Sequence, residues 1–533
     1  MGKEWALPPV GEVMSTPSLP IPAEAVRTAP AAPSQPAASD ARAGLAMSIA
    51  TFAMAAASAI QAVLYLSKFG TNVRTDGFFV AFAIYTTFGV FSQSLRLTSV
   101  PLLVEPGARL SIRQFAAALT LIGLPVLIAT GPLSGLLAHL IAPGLGAEGR
   151  HATESALPVL GGAMVLQLWA AGGATVLAIR ARFNLVAGAY IAGAGAGLVV
   201  FLALMGTAGE QTLGWSMLAM AIVTCTWMLV GVRASGGMGV AKASLELRRL
   251  VRDASLILGR TAVYLAFNML FVITLAFVGS HGATGDTTVL SYAYLFASYL
   301  VAGTGMALGM SRIPDMTRAA RSERRAIVAE TVPQGFRYAM LIVAPAMAGL
   351  ITVGAPLIHR LFPGSLNAQG VHTLRVFATL LGPWTVAALL VAFFMPALFA
   401  VGRAQLLNAL ALPLVVVHVA ATALGSALFG VNGAVGALVV APGVFAVVLL
   451  VAGTGPTAVT IARQLLLDAA RFLLLSAVAF GAGWLIGKAI PEELLAVTAA
   501  AAVGGVAYLG GLRLIARRQV EVLLAVLGRP AAA

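Results

Sequence analysis

The sequence predicts an all-α membrane protein of about 14 transmembrane helices, built as two pseudo-repeated six-helix lobes followed by two C-terminal helices. Three observations predict this. First, 59% of the 533 residues are hydrophobic and 10% are charged, with a mean hydropathy of +0.94; that leaves too little polar surface to coat a water-soluble globule. Second, the apolar residues come in runs near the roughly 20 residues a helix needs to cross the hydrocarbon core, whereas a closed barrel would show short alternating segments. Third, the segment from Gly70 to Glu105 has a fainter echo beginning at Gly285. Each copy runs from an Asp in a polar connection (Asp76, Asp286) through an aromatic-rich apolar span to a Pro (Pro101, Pro314) and then basic residues.

Taken in order, the spans are 44–66, 77–101, 114–140, 156–179, 184–206, 212–232, 258–280, 288–310, 338–359, 373–400, 405–428, 431–454, 470–489 and 494–515. The distribution of positive charge tests the count, because one missed span would exchange the sides of every later loop. With the N-terminus inside, 25 of the 33 Lys and Arg fall on the inner side and 6 outside, and Arg96 and Arg260 fall within spans. Both termini are therefore expected in the cytoplasm, with the chain in a bacterial inner membrane.

The resulting organisation is a disordered cytoplasmic tail over 1–42, rich in Pro, Ala and Ser, an N-terminal lobe over 43–233, and a basic linker over 234–257. A C-terminal lobe over 258–456, a pair of spans over 457–518 and a cytoplasmic tail over 519–533 complete it. The linker alternates Leu245, Leu247, Leu250 and Val251 with Lys242, Arg248, Arg249 and Arg252, a pattern suited to a helix lying on anionic membrane lipids or to topological charge alone. The loop from Ser311 is similarly basic.

Several function classes are excluded. The one cysteine, Cys225, lies inside an apolar run, so neither a disulfide framework nor a thiolate metal site is expected. Basic residues scattered between apolar runs serve topology, not nucleic acid. The sequence carries no phosphate-cradling Gly-Lys-Ser/Thr loop, no HExxH and no nucleophile with a base, so no enzyme, metal or cofactor is expected.

The stretch FGTNVRTDGFFVAFAIYTTFGVFSQSLRLTSVPLLVE, with Phe69, Gly70, Thr75, Asp76, Phe78, Val80, Ala81, Phe82 and Pro101, resembles the region of the first two spans in the MurJ/MviN-type lipid II flippases of the MOP exporter superfamily. LSYAYLFASYLVAGTGMALGMSRIPDMTR looks like that family's eighth span, and LFPGSLNAQGVHTLRVFATLLGPWTVAALLVAFFMPALFAVGRAQ is similar to its ninth-to-tenth connection and tenth span. The resemblance covers roughly 44–515. Two arginine positions of the family pattern are empty: the first-span stretch AASAIQAVLYLSKFG has Ser58, Ile60 and Gln61, and the eighth has Ala293, Tyr294 and Leu295.

This resemblance implies a flippase that carries a polyprenyl-diphosphate-linked glycan, lipid II or a related lipid-linked sugar, outward by alternating access. Its expected partners are that glycan lipid, anionic membrane lipids and cell-wall synthesis proteins. Two other readings are a non-transporting scaffold of the wall machinery and a MATE-like antiporter, which would need an acid deep in a span; none is evident in the sequence. Candidate substrate-binding residues are Arg96, Arg260, Gln61, Asn268, Ser92 and Gln93. Arg96 and Arg260 either meet an anionic headgroup or snorkel to the inner interface. Candidate gate or capping residues are Lys68, Arg74, Asp76 and Asp286: each Asp suits a helix N-terminus, and Asp76 is alternatively a partner for Arg74 or Lys68. His418 is expected to bond a neighbouring helix.

Overall fold

The described part of the computed structural model comprises residues 60–104, 110–180, 182–236, 246–306, 323–361, 366 and 368–517, with 50, 53, 54, 57 and 58 from the first helix. The N-terminal tail, residues 237–245 and residues 307–322 lie outside it. In chain order the helices are α1 (60–69), α2 (Val73–Val104), α3 (Ile112–Thr130), α4 (Ser134–Ile141), α5 (Ala147–Ile179), α6 (Phe183–Leu204), α7 (Thr212–Ala234) and α8 (Leu247–His281). There follow α9 (Asp286–Val301), α10 (Arg324–Gly349), α11 (Ala355–Leu361), α12 (Ala368–Ala400), α13 (Ala404–Gly436), α14 (Val440–Thr454), α15 (Ala458–Lys488) and α16 (Glu493–Ile515).

Among the described residues, 10 stretches are long and apolar enough to cross a membrane, and one of them, Ala404–Lys488, contains α13, α14 and α15. The protein is an all-helical, multi-pass membrane protein. The third predicted span is divided into α3 and α4, where Gly131 and Pro132 end the first piece. The ninth is α10 and α11 joined by a π turn at Leu350–Gly354. A second π turn, Ala302–Met306, continues α9. The eleventh and twelfth spans meet without a loop: Gly430 in α13 has φ 61° and ψ −145°. A Cβ on Gly425 would lie 2.4 Å from the Gly433 carbonyl oxygen, and one on Gly433 would lie 1.9 Å from that of Gly425. Eight residues of straight helix span about 12 Å, so the chain must double back at Gly430.

Small residues set the helix spacing, as expected where close backbone approach replaces a hydrophobic driving force. α2 packs along α5, α5 against α3 and α7, and α7 against α6. At the α2–α5 crossing a Cβ on Gly77 would meet the Gly149 carbonyl oxygen at 2.0 Å, and Thr153 Oγ1 donates to the Gly77 carbonyl at 2.8 Å. In the other half α8 packs on α13, and α12 on α9, α10, α13 and α14. α15 and α16 form a pair laid on α10. One device recurs in both halves. Arg180, after α5, donates to the carbonyls of Val232 and Ser235 at the end of α7, both at 3.0 Å. Arg403, after α12, donates to the Ala452 carbonyl near the end of α14 at 3.0 Å. Each guanidinium satisfies carbonyls that a helix C-terminus leaves unbonded, where the dipole favours a cation.

Candidate functional site

The two halves meet along a seam of α1 and α2 against α8 and α9. At the end of α2 that the charge distribution places outside, Asn72 caps α2: its Oδ1 accepts from the amides of Arg74 (2.9 Å) and Thr75 (3.0 Å). Asp76, one turn on and 2% exposed, is thereby left to reach across the seam. Its carboxylate accepts from the Gly285 amide (2.6 Å), the Thr288 amide (2.9 Å) and the Thr288 hydroxyl (2.6 Å). It thus caps α9, the helix of the opposite half, where the amides point outward and the dipole favours an anion. The position depends on Gly285, whose φ of 97° suits glycine. Asp286, at the matching place in the repeat, accepts from the Ala283 amide at 2.8 Å within its own turn.

Arg74 pairs with Glu148 at 2.6 Å, both well exposed, and Lys68 is exposed. The alternative ion pair of Asp76 with Arg74 or Lys68 is therefore replaced by the contact with α9. Two acids near the ends of spans are nonetheless buried within the protein. Asp76 is buried, and so is Asp468 at 4% exposure, accepting from Arg337 Nε and Nη2 at 3.0 and 2.8 Å. Each looks terminal along its own span, but a neighbouring helix covers it.

Farther down the seam, Tyr292 of α9 donates to the Ala62 carbonyl of α1 at 2.9 Å, and its ring centroid lies 5.1 Å from that of Phe79. Thr87 donates to the Asn268 carbonyl at 3.3 Å. Toward the inner end, Arg260 Nη1 donates to the Thr98 carbonyl of α2 at 3.3 Å. The seam is bonded near both ends.

The sequence-derived candidates fall on this seam unevenly. Arg260 and Asn268 sit on α8, and Asn268 Nδ2 donates to its own helix at the Tyr264 carbonyl, 2.9 Å away. Ser92 donates to the Phe88 carbonyl at 2.9 Å. The backbone of α2 carries Gln93 and Arg96, whose side chains lie outside the described set. Gln61 points elsewhere: its Nε2 donates to Ser216 Oγ at 2.9 Å, and Ser216 to the Gly197 carbonyl at 2.9 Å, which ties α1 to α7 and α6. His418 reaches α8, with Nε2 2.8 Å from the Leu270 carbonyl and 3.0 Å from Thr274 Oγ1. Sequence reasoning missed Asn72, Gly285 and Thr288. An Asn immediately before the first turn of α2 and a Gly-Asp-Thr-Thr run were the available signals.

The arrangement of helices that carries this seam is similar to that of solved transporters of the MOP superfamily. A multidrug resistance MATE family transporter of that superfamily, inward-facing, superposes with a TM-score of 0.55 at 16% identity over 78% of this chain and 98% of its own. A MOP superfamily transporter from Pyrococcus furiosus does so with a TM-score of 0.53, 16% identity, and 79% and 96% coverage. The likeness to the lipid II flippase MurJ, in its inward closed conformation, has a TM-score of 0.68 at 14% identity, over 89% of this chain and 99% of that one. The family resemblance read from the sequence is thus met at the level of the fold. No protein-family model matches the chain, and no curated protein matches its sequence.

Proposed function

We propose that the chain is a flippase that carries a polyprenyl-diphosphate-linked glycan precursor, lipid II or a related lipid-linked sugar, outward across a bacterial cytoplasmic membrane by alternating access. The observation that carries the reading is the Asp76 clasp on α9. It gathers the polar contacts at the outer end of the seam into one set, and such a set can break as a unit when the lobes rock apart. The N-terminal lobe, 43–233, and the C-terminal lobe, 258–456, are the rocking bodies, and both chain ends lie in the cytoplasm. With the outer clasp closed and the inner end open, Arg96 and Arg260 would line the inner mouth from opposite lobes, where paired guanidinium groups suit a diphosphate. Ser92, Gln93 and Asn268 would offer hydrogen bonds beside them. A fixed cation there lowers the cost of moving an anion through a low-dielectric path.

The test is reconstitution of the full chain in vesicles with a fluorescent lipid-linked sugar in one leaflet. Faster appearance of the label in the other leaflet, lost in the Arg96→Gln/Arg260→Gln variant, supports the reading. A protein that accelerates no lipid-linked sugar overturns it and favours a scaffold of the wall-building machinery.

A further inference from the structure

Between its two bonded ends the seam leaves room. Tyr299 lies two turns inward of Tyr292 on the same face of α9, and so it faces α1 and α2, where it bonds Ser58 of α1. It is not fully covered there. Tyr299 keeps 37% of its surface exposed, and Phe296, one turn outward, keeps 38%, whereas Tyr292 is held against Phe79. Helices α2 and α9 both begin at the clasp and run inward together, so the Phe79–Tyr292 contact sets Thr86 beside Tyr299. The bond from Thr87 to the Asn268 carbonyl brings α8 to the same level.

This level carries no charge. Between Asp76 and Arg96 on α2, from Thr261 to Ser280 on α8, and from Thr287 to Val301 on α9, every residue is uncharged. The polar atoms are hydroxyls and amides. Thr86 is half-buried, Asn268 spends Nδ2 on its own helix and keeps Oδ1 as an acceptor, and on the α5 side of α2 Gln167 donates to the Tyr85 hydroxyl. A carboxylate brought here would meet aromatic rings and neutral dipoles, with no cation to offset the loss of its water. A sugar ring fits better: its C–H face is apolar and lies on an aromatic ring, while its rim of hydroxyls turns to amides and other hydroxyls. From Thr86 to Arg96 is about 15 Å along α2, so a diphosphate at the inner mouth would set its sugars at this level.

We propose that the middle of the seam is a subsite for an uncharged sugar of the glycan, with Tyr299 as the ring it stacks on and Thr86 and Asn268 as hydrogen-bond partners at its edge. This rests on the flippase reading above and narrows it. The cargo is a lipid-linked glycan whose sugars near the diphosphate are neutral, and sugar acids are rejected.

The test uses the full chain in vesicles with three fluorescent probes: a polyprenyl diphosphate carrying di-N-acetylglucosamine, the same lipid carrying a glucuronic acid disaccharide, and the same lipid without sugar. The neutral-sugar lipid is expected to cross at least about ten-fold faster than the sugar acid, because an unpaired charge is rejected at that level. Tyr299→Ala is expected to lower the ratio of the neutral-sugar rate to the sugar-free rate about five-fold, the loss of one aromatic contact. Tyr299→Phe, which keeps the ring, is expected to restore most of that ratio. A merely structural tyrosine would slow both lipids together. Equal rates for the neutral sugar and the sugar acid, a faster sugar acid, or a ratio unmoved by Tyr299→Ala would overturn the subsite and leave the flippase reading in place, whereas movement of none of the three lipids overturns both. The comparison of lipids on the unaltered protein decides the matter even if Tyr299→Ala yields no folded protein.

Discussion

Asp76 shows how one carboxylate comes to serve a helix other than its own. Asn72 already satisfies the first amides of α2, and burial leaves the Asp76 charge no water to turn to, so the unbonded amides of α9 become its partners. Asp76→Asn keeps the shape but replaces an anion with an amide that cannot accept from every donor. Charged hydrogen bonds contribute about 1.5 to 3 kcal/mol, so the substitution is expected to favour outer opening by about 2 kcal/mol, or on the order of thirty-fold. The check is the rate at which a membrane-impermeant maleimide labels Thr75→Cys, with and without Asp76→Asn. The native Cys225 is buried and should contribute little signal. A related pair tests closure directly. The hydroxyls of Thr75 and Thr288 lie 3.2 Å apart, so the Thr75→Cys/Thr288→Cys double variant is expected to form a disulfide that halts transport until reductant is added; failure to cross-link would remove the closed seam from the mechanism. The sequence showed that positions 76 and 286 matter and that helix termini were involved. Which helix Asp76 caps could not be read there, because that depends on two segments about two hundred residues apart lying side by side.

Between elements, the decisive contacts are close helix crossings and one buried ion pair. Gly77→Ala would push a methyl into the Gly149 carbonyl, forcing α2 away from α5. A loss of at least about 2 kcal/mol is expected, visible as a lower detergent melting temperature. Removing Arg337 would leave Asp468 buried without its main partner, and breaking a buried pair this way costs about 3 to 5 kcal/mol. Arg337→Leu alone is expected to destabilise strongly, and Arg337→Leu/Asp468→Leu to recover most of the loss; if the double variant melts no higher than the single, the pair is not what joins α10 to α15. The spans themselves were legible because apolar run length reports directly on membrane thickness. The Gly430 reversal fell between the predicted spans 405–428 and 431–454, and the break in the third was marked by Gly131-Pro132, whereas the π turn inside the ninth was hidden in continuous apolar sequence. Gln61 was misjudged for a similar reason: a polar residue in an apolar run announces a partner, not which side it lies on.

At the scale of the whole molecule, charge distribution and fold give a testable topology. Ala147→Cys, at the exposed start of α5, is expected to react with an impermeant thiol reagent from outside, and Leu247→Cys, 70% exposed at the start of α8, only after the membrane is opened. The reverse pattern would invert the direction of transport inferred above. The two-lobe plan was legible because the Asp-to-Pro segment occurs twice, but the matching arginine caps were not. Arg180 and Arg403 sit in turns of unlike sequence, and only their shared place beside α7 and α14 shows their equivalence.

The outer clasp also bears on how this protein tolerates mutation. On the α9 side two of its three donors are main-chain amides, which nearly any residue supplies. Thr288 is fully buried, so position 288 admits only small side chains, but any of these, proline excepted, still presents an N–H to the carboxylate. Inheritance of the contact is concentrated at Asp76, which provides the anion, and at Gly285, which provides the left-handed turn. A lineage could rewrite most of the seam and keep its closure, yet lose it through a single change at either position.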